Sequence, residues 1–279
     1  MREGASMTVS AITGSPRAKI EIRDVSFDYV DRKSTFAALE HISLDIREGE
    51  FLCILGSSGC GKSTLLSLLN GLNRAKSGEI LIGGKPVRGP GPDRAVVFQQ
   101  YSLFPWLTVK GNILFAIRQS GRKYTRQERN KKAEEYLRSV ELLAARDKYP
   151  GQLSGGMKQR VAVARALALE SDVLLLDEPF AAIDPKLRQE LQELISSLCA
   201  KQKKTVVFVT HDIDEAILLG DRIIVMEPGR IRTEVEVNLP HPRKRDDLIG
   251  TPAYETLHRK LIAGFYAQIQ EDIDTEVIL

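Results

Sequence analysis

Apolar positions from Ile20 onward fall into two alternating patterns. Short β-branched and leucine-rich runs at Phe51–Leu55, Ala95–Phe98, Val173–Leu176, Val206–Val209 and Ile223–Met226 have the length and residue choice of strands. Segments of helical period separate them, and that rhythm predicts an α/β fold built on a mainly parallel sheet. Between Trp106 and Pro150 the strand signals stop. A polar stretch from Tyr124 to Leu143 there carries Ala133, Leu137, Val140 and Leu143 at spacings of four and three, which predicts a helical insert, with the helical subdomain over about residues 106–165. Past Leu239 come Pro240, His241 and Pro242, a basic run through Arg245 and one amphipathic pattern from Tyr254 to Ile269. A short helical appendix is expected over 240–279. The first residues mix Gly, Ser, Thr and Pro without apolar period, so a mobile leader is expected over 1–19, with Met7 a second possible start. No internal repeat is visible.

Composition narrows the function by exclusion. Apolar residues at 43% and charged residues at 28% give the balance of a globular chain and exclude a wholly disordered or collagenous one. A net charge of +3 is too small to suggest a basic-patch nucleic-acid binder, so no nucleic-acid partner is expected. No apolar run reaches the roughly 18–20 residues of a membrane span, and the leader lacks the apolar stretch of a secretory signal. A membrane, if this chain serves one, is crossed by a partner. The three cysteines, Cys53, Cys60 and Cys199, are too dispersed for a disulfide framework or zinc cluster, which fits the cytoplasm.

The chemistry begins at Gly56-Ser57-Ser58-Gly59-Cys60-Gly61-Lys62-Ser63, which fits G-x-x-x-x-G-K-[ST] directly after one strand and before the apolar-periodic helix from Thr64 to Leu69. Glycines let successive N–H groups turn toward one anion, the following helix directs its positive end there, Lys62 reaches the outer phosphates, and Ser63 ligates Mg²⁺. ATP with Mg²⁺ is the implied ligand. In an open parallel sheet the residues just beyond strand ends face the ligand. Those are Gln99, Asp177 with Glu178, and Thr210 with His211. Asp177 suits a metal or water-mediated metal contact, and Glu178 suits polarisation of the attacking water. Taken singly, a Gln or His at such a place also reads as a turn residue or helix cap.

A second anion surface lies at Leu153-Ser154-Gly155-Gly156-Met157-Lys158-Gln159. Ser154 reads as an N-cap, which does not account for two consecutive glycines at a helix start. Two phosphate-facing surfaces on one chain make sense if two copies pair head to tail.

Together these motifs resemble the ATP-binding subunits of ATP-binding cassette (ABC) transporters over roughly residues 20–237. The segments that carry the likeness are Gly56 to Ser63, Val97-Phe98-Gln99, Leu153 to Gln159, Val173-Leu174-Leu175-Leu176-Asp177-Glu178-Pro179, and His211. The resemblance implies a P-loop ABC-ATPase fold with a parallel-sheet core, a β subdomain and the helical insert, all within 20–239. It places Glu178, His211 and Gln99 in catalysis and Ser63, Gln99 and Asp177 on Mg²⁺. It puts the nucleotide on Gly56 to Thr64 of one subunit and under Ser154, Gly155 and Gly156 of the other. Tyr29 resembles the aromatic that stacks on adenine, with Phe27 the competing residue. Ala181-Ala182-Ile183-Asp184 stands where the family commonly has Ser-Ala-Leu-Asp, which leaves Asp184 for coupling across the dimer.

The run from Gly89 to Arg94 into Val96–Trp106 is similar to the nitrate/sulfonate/taurine importer branch. That implies two ATPase subunits at the cytoplasmic face, two integral-membrane permease subunits and an extracytoplasmic solute-binding protein, with a small anion as solute. An exporter ATPase and a soluble ABC ATPase are the alternatives. Trp106, the only tryptophan, is read either as a docking residue for the permease or as a packed cap on the insert. Cys60 is read either as an activated thiol at the helix mouth or as an inert filler. The charged stretch from Arg122 to Arg138 reads as a solvated helix face.

Overall fold

The computed structural model describes residues 18–30, 34–181 and 183–276. Most of the leader therefore lies outside the described residues, as does Ala182. Chain order is β1 (Ala18–Val30), β2 (Thr35–Arg47), β3 (Phe51–Gly56), α1 (Lys62–Asn70), β4 (Ser77–Ile82), β5 (Lys85–Pro86), β6 (Arg94–Val97), α2 (Val109–Gln119), α3 (Arg126–Ser139) and α4 (Gly155–Ala168). It continues with β7 (Val173–Asp177), α5 (Pro185–Gln202), β8 (Thr205–Thr210), α6 (Ile213–Leu219), β9 (Arg222–Glu227), β10 (Arg230–Glu236), α7 (Arg245–Leu248) and α8 (Pro252–Glu276).

All five expected strands lie in one six-stranded sheet of order β10-β9-β3-β8-β7-β6, parallel except for β10. Its strands are apolar at successive positions because both faces are covered. Along β3, Leu52 and Ile54 face one cluster with α1, while Phe51, Cys53 and Leu55 face another with α2, α4, α5 and α6. Period-two alternation thus serves two cores at once. A second, antiparallel sheet of order β2-β1-β4-β5 closes over α1 with Ile20, Ile22, Leu39, Ile42 and Ile46. Ala133, Leu137 and Val140 are buried among α2, α3 and α4, and Leu143 lies in a short 3₁₀ turn instead of on α3. The C-terminal helix α8 packs Tyr254 and Leu261 into the same core as α6.

A buried charge cluster fastens the two sheets. Arg222 at the start of β9 bonds Glu50 (2.6 Å) and Glu234 (2.7 Å), and it also donates to the Asp45 carbonyl on β2. Arg222 and Glu50 are both nearly inaccessible, so removing one charge strands the other. Glu50→Ala should therefore destabilise the chain by about 3 kcal/mol in denaturant unfolding, the low end for a buried pair because Arg222 keeps Glu234 and Asp45. An unchanged unfolding midpoint would contradict this account of how the sheets are joined.

Candidate nucleotide site

The predicted site residues are far apart in sequence, and strand order brings them together. Strands β3, β8, β7 and β6 are consecutive neighbours, so their carboxyl ends present the Gly56 loop, His211, Asp177 with Glu178, and Gln99 along one edge.

The loop's backbone is shaped for an anion. Gly59 and Gly61 adopt φ of 84° and 110°, which side chains rarely permit. A Cβ on Gly61 would lie 2.8 Å from the Ala38 carbonyl, so the back of the loop is packed on β2, whereas Gly59 faces open space. Each of α2 through α6 begins with a side chain accepting a first-turn amide, from Thr108, Thr125, Ser154, Asp184 and Asp212. Helix α1 has no such cap. Its first-turn N–H groups and positive helix end are left for a ligand of negative charge. Lys62, nearly buried, lies across the loop with Nζ donating to the carbonyls of Gly56 (2.9 Å) and Ser57 (2.7 Å). Two neutral carbonyls solvate the ammonium without cancelling its charge, which suits an arriving phosphate.

Ser63 Oγ donates to Asp177 Oδ1 at 3.1 Å. The two are adjacent hard oxygen donors. Mg²⁺ keeps most of its waters and takes one or two protein oxygens beside phosphate, so the pair fits it. Burial holds the Asp177 carboxyl above its ordinary value, opposed by the Ser63 hydrogen bond; a cation alongside would reverse that balance. Strand β7 ends there, and Glu178 turns into the left-handed region at φ 42°. This conformation costs about 1–3 kcal/mol and is held by Glu178 N–H donating to the Val209 carbonyl at 3.0 Å. The backbone reversal is why neighbouring carboxylates diverge: Asp177 meets Ser63, whereas Glu178 Oε2 lies 3.2 Å from His211 Nδ1. Gln99 stands exposed in the turn after β6, with no hydrogen bond to this group among the described residues.

Tyr29 is 48% exposed, and its hydroxyl lies 3.2 Å from Thr64 Oγ1. Phe27 packs edge-on against it at 5.0 Å and joins the core, so only Tyr29 keeps a free ring face beside the loop. Ser57 is half-buried and Ser58 exposed. Ser154, Gly155 and Asp184 are exposed at the starts of α4 and α5, where Ser154 caps the Met157 amide at 3.3 Å and Asp184 the Leu187 amide at 3.1 Å. Gly156 has a packing reason the sequence concealed, because a Cβ there would overlap the Leu187 side chain.

Of the two readings of Cys60, its surroundings fit the inert filler. Its Sγ points inward, where a Cβ on Gly56 would approach it to 2.5 Å, and the residue is 1% exposed. Burial pushes the thiol up, and Lys62 with the local amides only partly offsets it. The activated-thiol alternative does not fit, because the side chain faces the core while its backbone follows the loop. Arg165 is a residue that sequence reasoning missed. It donates to the carbonyls of Ser102 (2.6 Å) and Tyr101 (3.3 Å) and lies over Phe104, holding the segment after Gln99 to α4. Its signal was a lone charge within the apolar run Val161–Leu169.

Residues 39–181 match the ABC transporter family. The chain belongs to that family. The bicarbonate transport ATP-binding protein CmpC of Synechococcus elongatus is 49% identical over 230 residues, covering 81% of this chain; the chain spans only 35% of that relative's length. The nitrate import ATP-binding protein NrtD of the same organism is 39% identical over 274 residues, 95% of this chain and 100% of the relative. The ATP-binding cassette MJ0796, solved as a dimer in a post-hydrolysis state with ADP and Pi, superposes with TM-score 0.72 at 35% identity, covering 79% of this chain and 100% of its own. This ABC chain has no helix long and apolar enough to cross a membrane among the described residues.

All three cysteines are buried, so a thiol reagent added to the folded, nucleotide-free protein should modify well under one equivalent while the denatured chain takes up all three. Rapid labelling of Cys60 in the folded state would restore the activated-thiol reading.

Proposed function

We propose that this chain is the ATP-hydrolysing subunit of an ABC importer for a small inorganic or organic anion, working at the cytoplasmic face of the membrane. The observation that carries it is the union of an uncapped helix N-terminus, the Ser63–Asp177 oxygen pair and the Glu178–His211 pair on one sheet edge. The loop amides and Lys62 bind and orient the phosphates. Mg²⁺, when bound at Ser63, Asp177 and Gln99, would neutralise phosphate charge. Glu178 accepts a proton from the attacking water, and His211 fixes the carboxylate and the terminal phosphate. Tyr29 receives the adenine ring. The exposed Ser154, Gly155 and Asp184 belong to a second surface that completes the site of another copy paired head to tail, in keeping with the dimeric cassette MJ0796.

The importer reading draws on the nitrate and bicarbonate relatives, and it implies two permease subunits and an extracytoplasmic binding protein. A docking surface for the permease lies next to Gln99. Trp106 is 70% exposed and Phe115 39%, with Phe104 between them at 5.5 and 4.6 Å. An apolar group of this kind held out to solvent fits a partner better than a packed cap. In domain terms, residues 20–239 form the ATPase unit, about 106–165 its helical subdomain, and 240–279 the appendix.

Glu178→Gln should retain ATP binding, lower turnover by about 10²–10⁴-fold, and accumulate an ATP-bound dimer in size-exclusion chromatography. Near-normal hydrolysis by that variant would remove Glu178 from the chemistry. Trp106→Ala should keep the basal turnover of the isolated subunit within about twofold while weakening its co-purification with the permease at least about tenfold. Undiminished assembly would place the docking surface elsewhere.

A further inference from the structure

Behind the Glu178–His211 pair, a buried polar cluster connects two segments that the hydrolytic reading leaves separate. Thr210 ends β8 directly before His211. Its hydroxyl donates to Glu215 Oε2 at 2.7 Å and accepts from the Asp212 amide at 3.0 Å, so the turn that carries His211 is tied down on both sides. Glu215, on α6, is 5% exposed and also accepts from Gln192 Nε2 of α5 at 3.3 Å. Arg188, one turn into α5, reaches toward the same carboxylate. Its Nη1 lies 3.6 Å from Asp212 Oδ2, and its Nη2 donates to the Ile183 carbonyl at 3.4 Å. Its Nε is buried without a hydrogen bond and stands 3.9 Å from Glu215 Oε1. Closing that gap to hydrogen-bond length needs a shift of about 1 Å. A small cavity of about 30 Å³ bounded by Glu178, Phe180, Arg188, His211 and Glu215 gives room for it.

We propose that Glu215 is a positioning residue for His211, and that Arg188 closes onto it to make the hold on His211 depend on where the start of α5 sits. This rests on the hydrolytic reading of Glu178 and His211 and adds a route into it. Asp184, next to the buried Ile183 whose carbonyl Arg188 holds, lies on the surface assigned above to the second copy, so docking of that copy moves Arg188 and thereby the histidine turn. The groups facing Glu215 are Arg188 and Gln192 from α5, Thr210 at the end of β8, His211 and Asp212 from the turn after it, Glu178 across the cavity, and the buried Cys53 thiol of β3. Burial raises the Glu215 carboxyl to about 7, with the Thr210 hydrogen bond, Arg188 and His211 opposing it and Asp212 adding to it. Ionised, it accepts the Thr210 proton and attracts Arg188; protonated, it loses the charge that draws Arg188 in. Turnover should therefore rise with pH through that value.

The test measures kcat and KM for ATP from about pH 5.5 to about pH 8.5 on full-length wild type, Glu215→Gln, Arg188→Ala, Arg188→Lys and the Glu215→Gln/Arg188→Ala double variant. At the alkaline end Glu215→Gln and Arg188→Ala should each lower kcat about tenfold with KM within about twofold. The wild-type pH step should vanish in Glu215→Gln, Arg188→Lys should recover part of the loss, and the double variant should be no worse than the weaker single one. An unchanged pH step in Glu215→Gln, or single losses that multiply in the double variant, overturns the proposal. A second readout needs no hydrolysis. A carboxyl raised on folding stabilises the native state at low pH and loses that contribution as pH rises through the folded value. The Tm of nucleotide-free Glu215→Gln should therefore gain on wild type between about pH 5 and about pH 8, and parallel Tm curves also overturn it. Failure of the hydrolytic reading shows separately, as a Glu178→Gln variant that keeps its turnover.

Discussion

The bare N-terminus of α1 is the constraint around which the molecule is arranged. Leaving first-turn amides and an ammonium without an anionic partner is costly, and the surrounding packing must be stiff enough to hold them in place. Helix α1 sits between the two sheets and buries Leu65, Leu66, Leu68 and Leu69 in the cluster they share. Cys60 contributes its thiol to that cluster, and the Gly229 amide donates to the Cys60 carbonyl at 3.1 Å. The loop is fixed from behind by β2 and by the turn between β9 and β10, so its free face is the one that meets phosphate. The same packing explains why Cys60 is buried: a side chain that buttresses the cradle cannot also border the ligand.

Strand order turns that cradle into a site. Because β8 and β7 insert between β3 and β6, residues more than a hundred positions apart share an edge, and the register of the parallel pairs sets how far each extends. Leu55 pairs with Thr210, and Asp177 pairs with Val209, so the histidine turn and the two carboxylates leave the sheet at nearly the same level as the loop. The left-handed turn at Glu178 then sends the carboxylate that meets Ser63 and the one that meets His211 in different directions within a single peptide.

How much of this could be read from sequence depends on how local the determinant is. The five parallel strands were legible because strands covered on both faces are continuous apolar runs. The antiparallel sheet was much less so. Strands β1 and β2 are long but pass through several register shifts, with Asp24 and His41 in left-handed conformations, so their alternation is broken. The cradle was legible as one contiguous segment, and Asp177, Glu178 and His211 as residues at strand ends. The direction of the Cys60 side chain was not, since it depends on a gap that only Gly56 leaves open. Nor was the Arg188–Glu215 arrangement, whose members lie on different helices with nothing in either helix's period to mark them.

That arrangement bears on how an ABC chain can bind nucleotide without spending it. Nucleotide binding needs the loop and α1, which are rigidly supported and complete within one copy. On the proposed reading hydrolysis also draws on His211, which is more than half exposed and is held against Glu178 by a 3.2 Å contact and by the Thr210 turn. The loop side of the site is therefore preorganised, and in the proposed scheme the His211 side is secured through side chains of α5 and α6 that respond to the start of α5. A second copy docked on Ser154, Gly155 and Asp184, as proposed, would press on that same start, because Gly156 packs directly on Leu187, one residue before Arg188. On that proposal the two-glycine opening of α4 would join closure over phosphate to movement of α5, and a side chain at Gly156 would uncouple them by holding the helices apart.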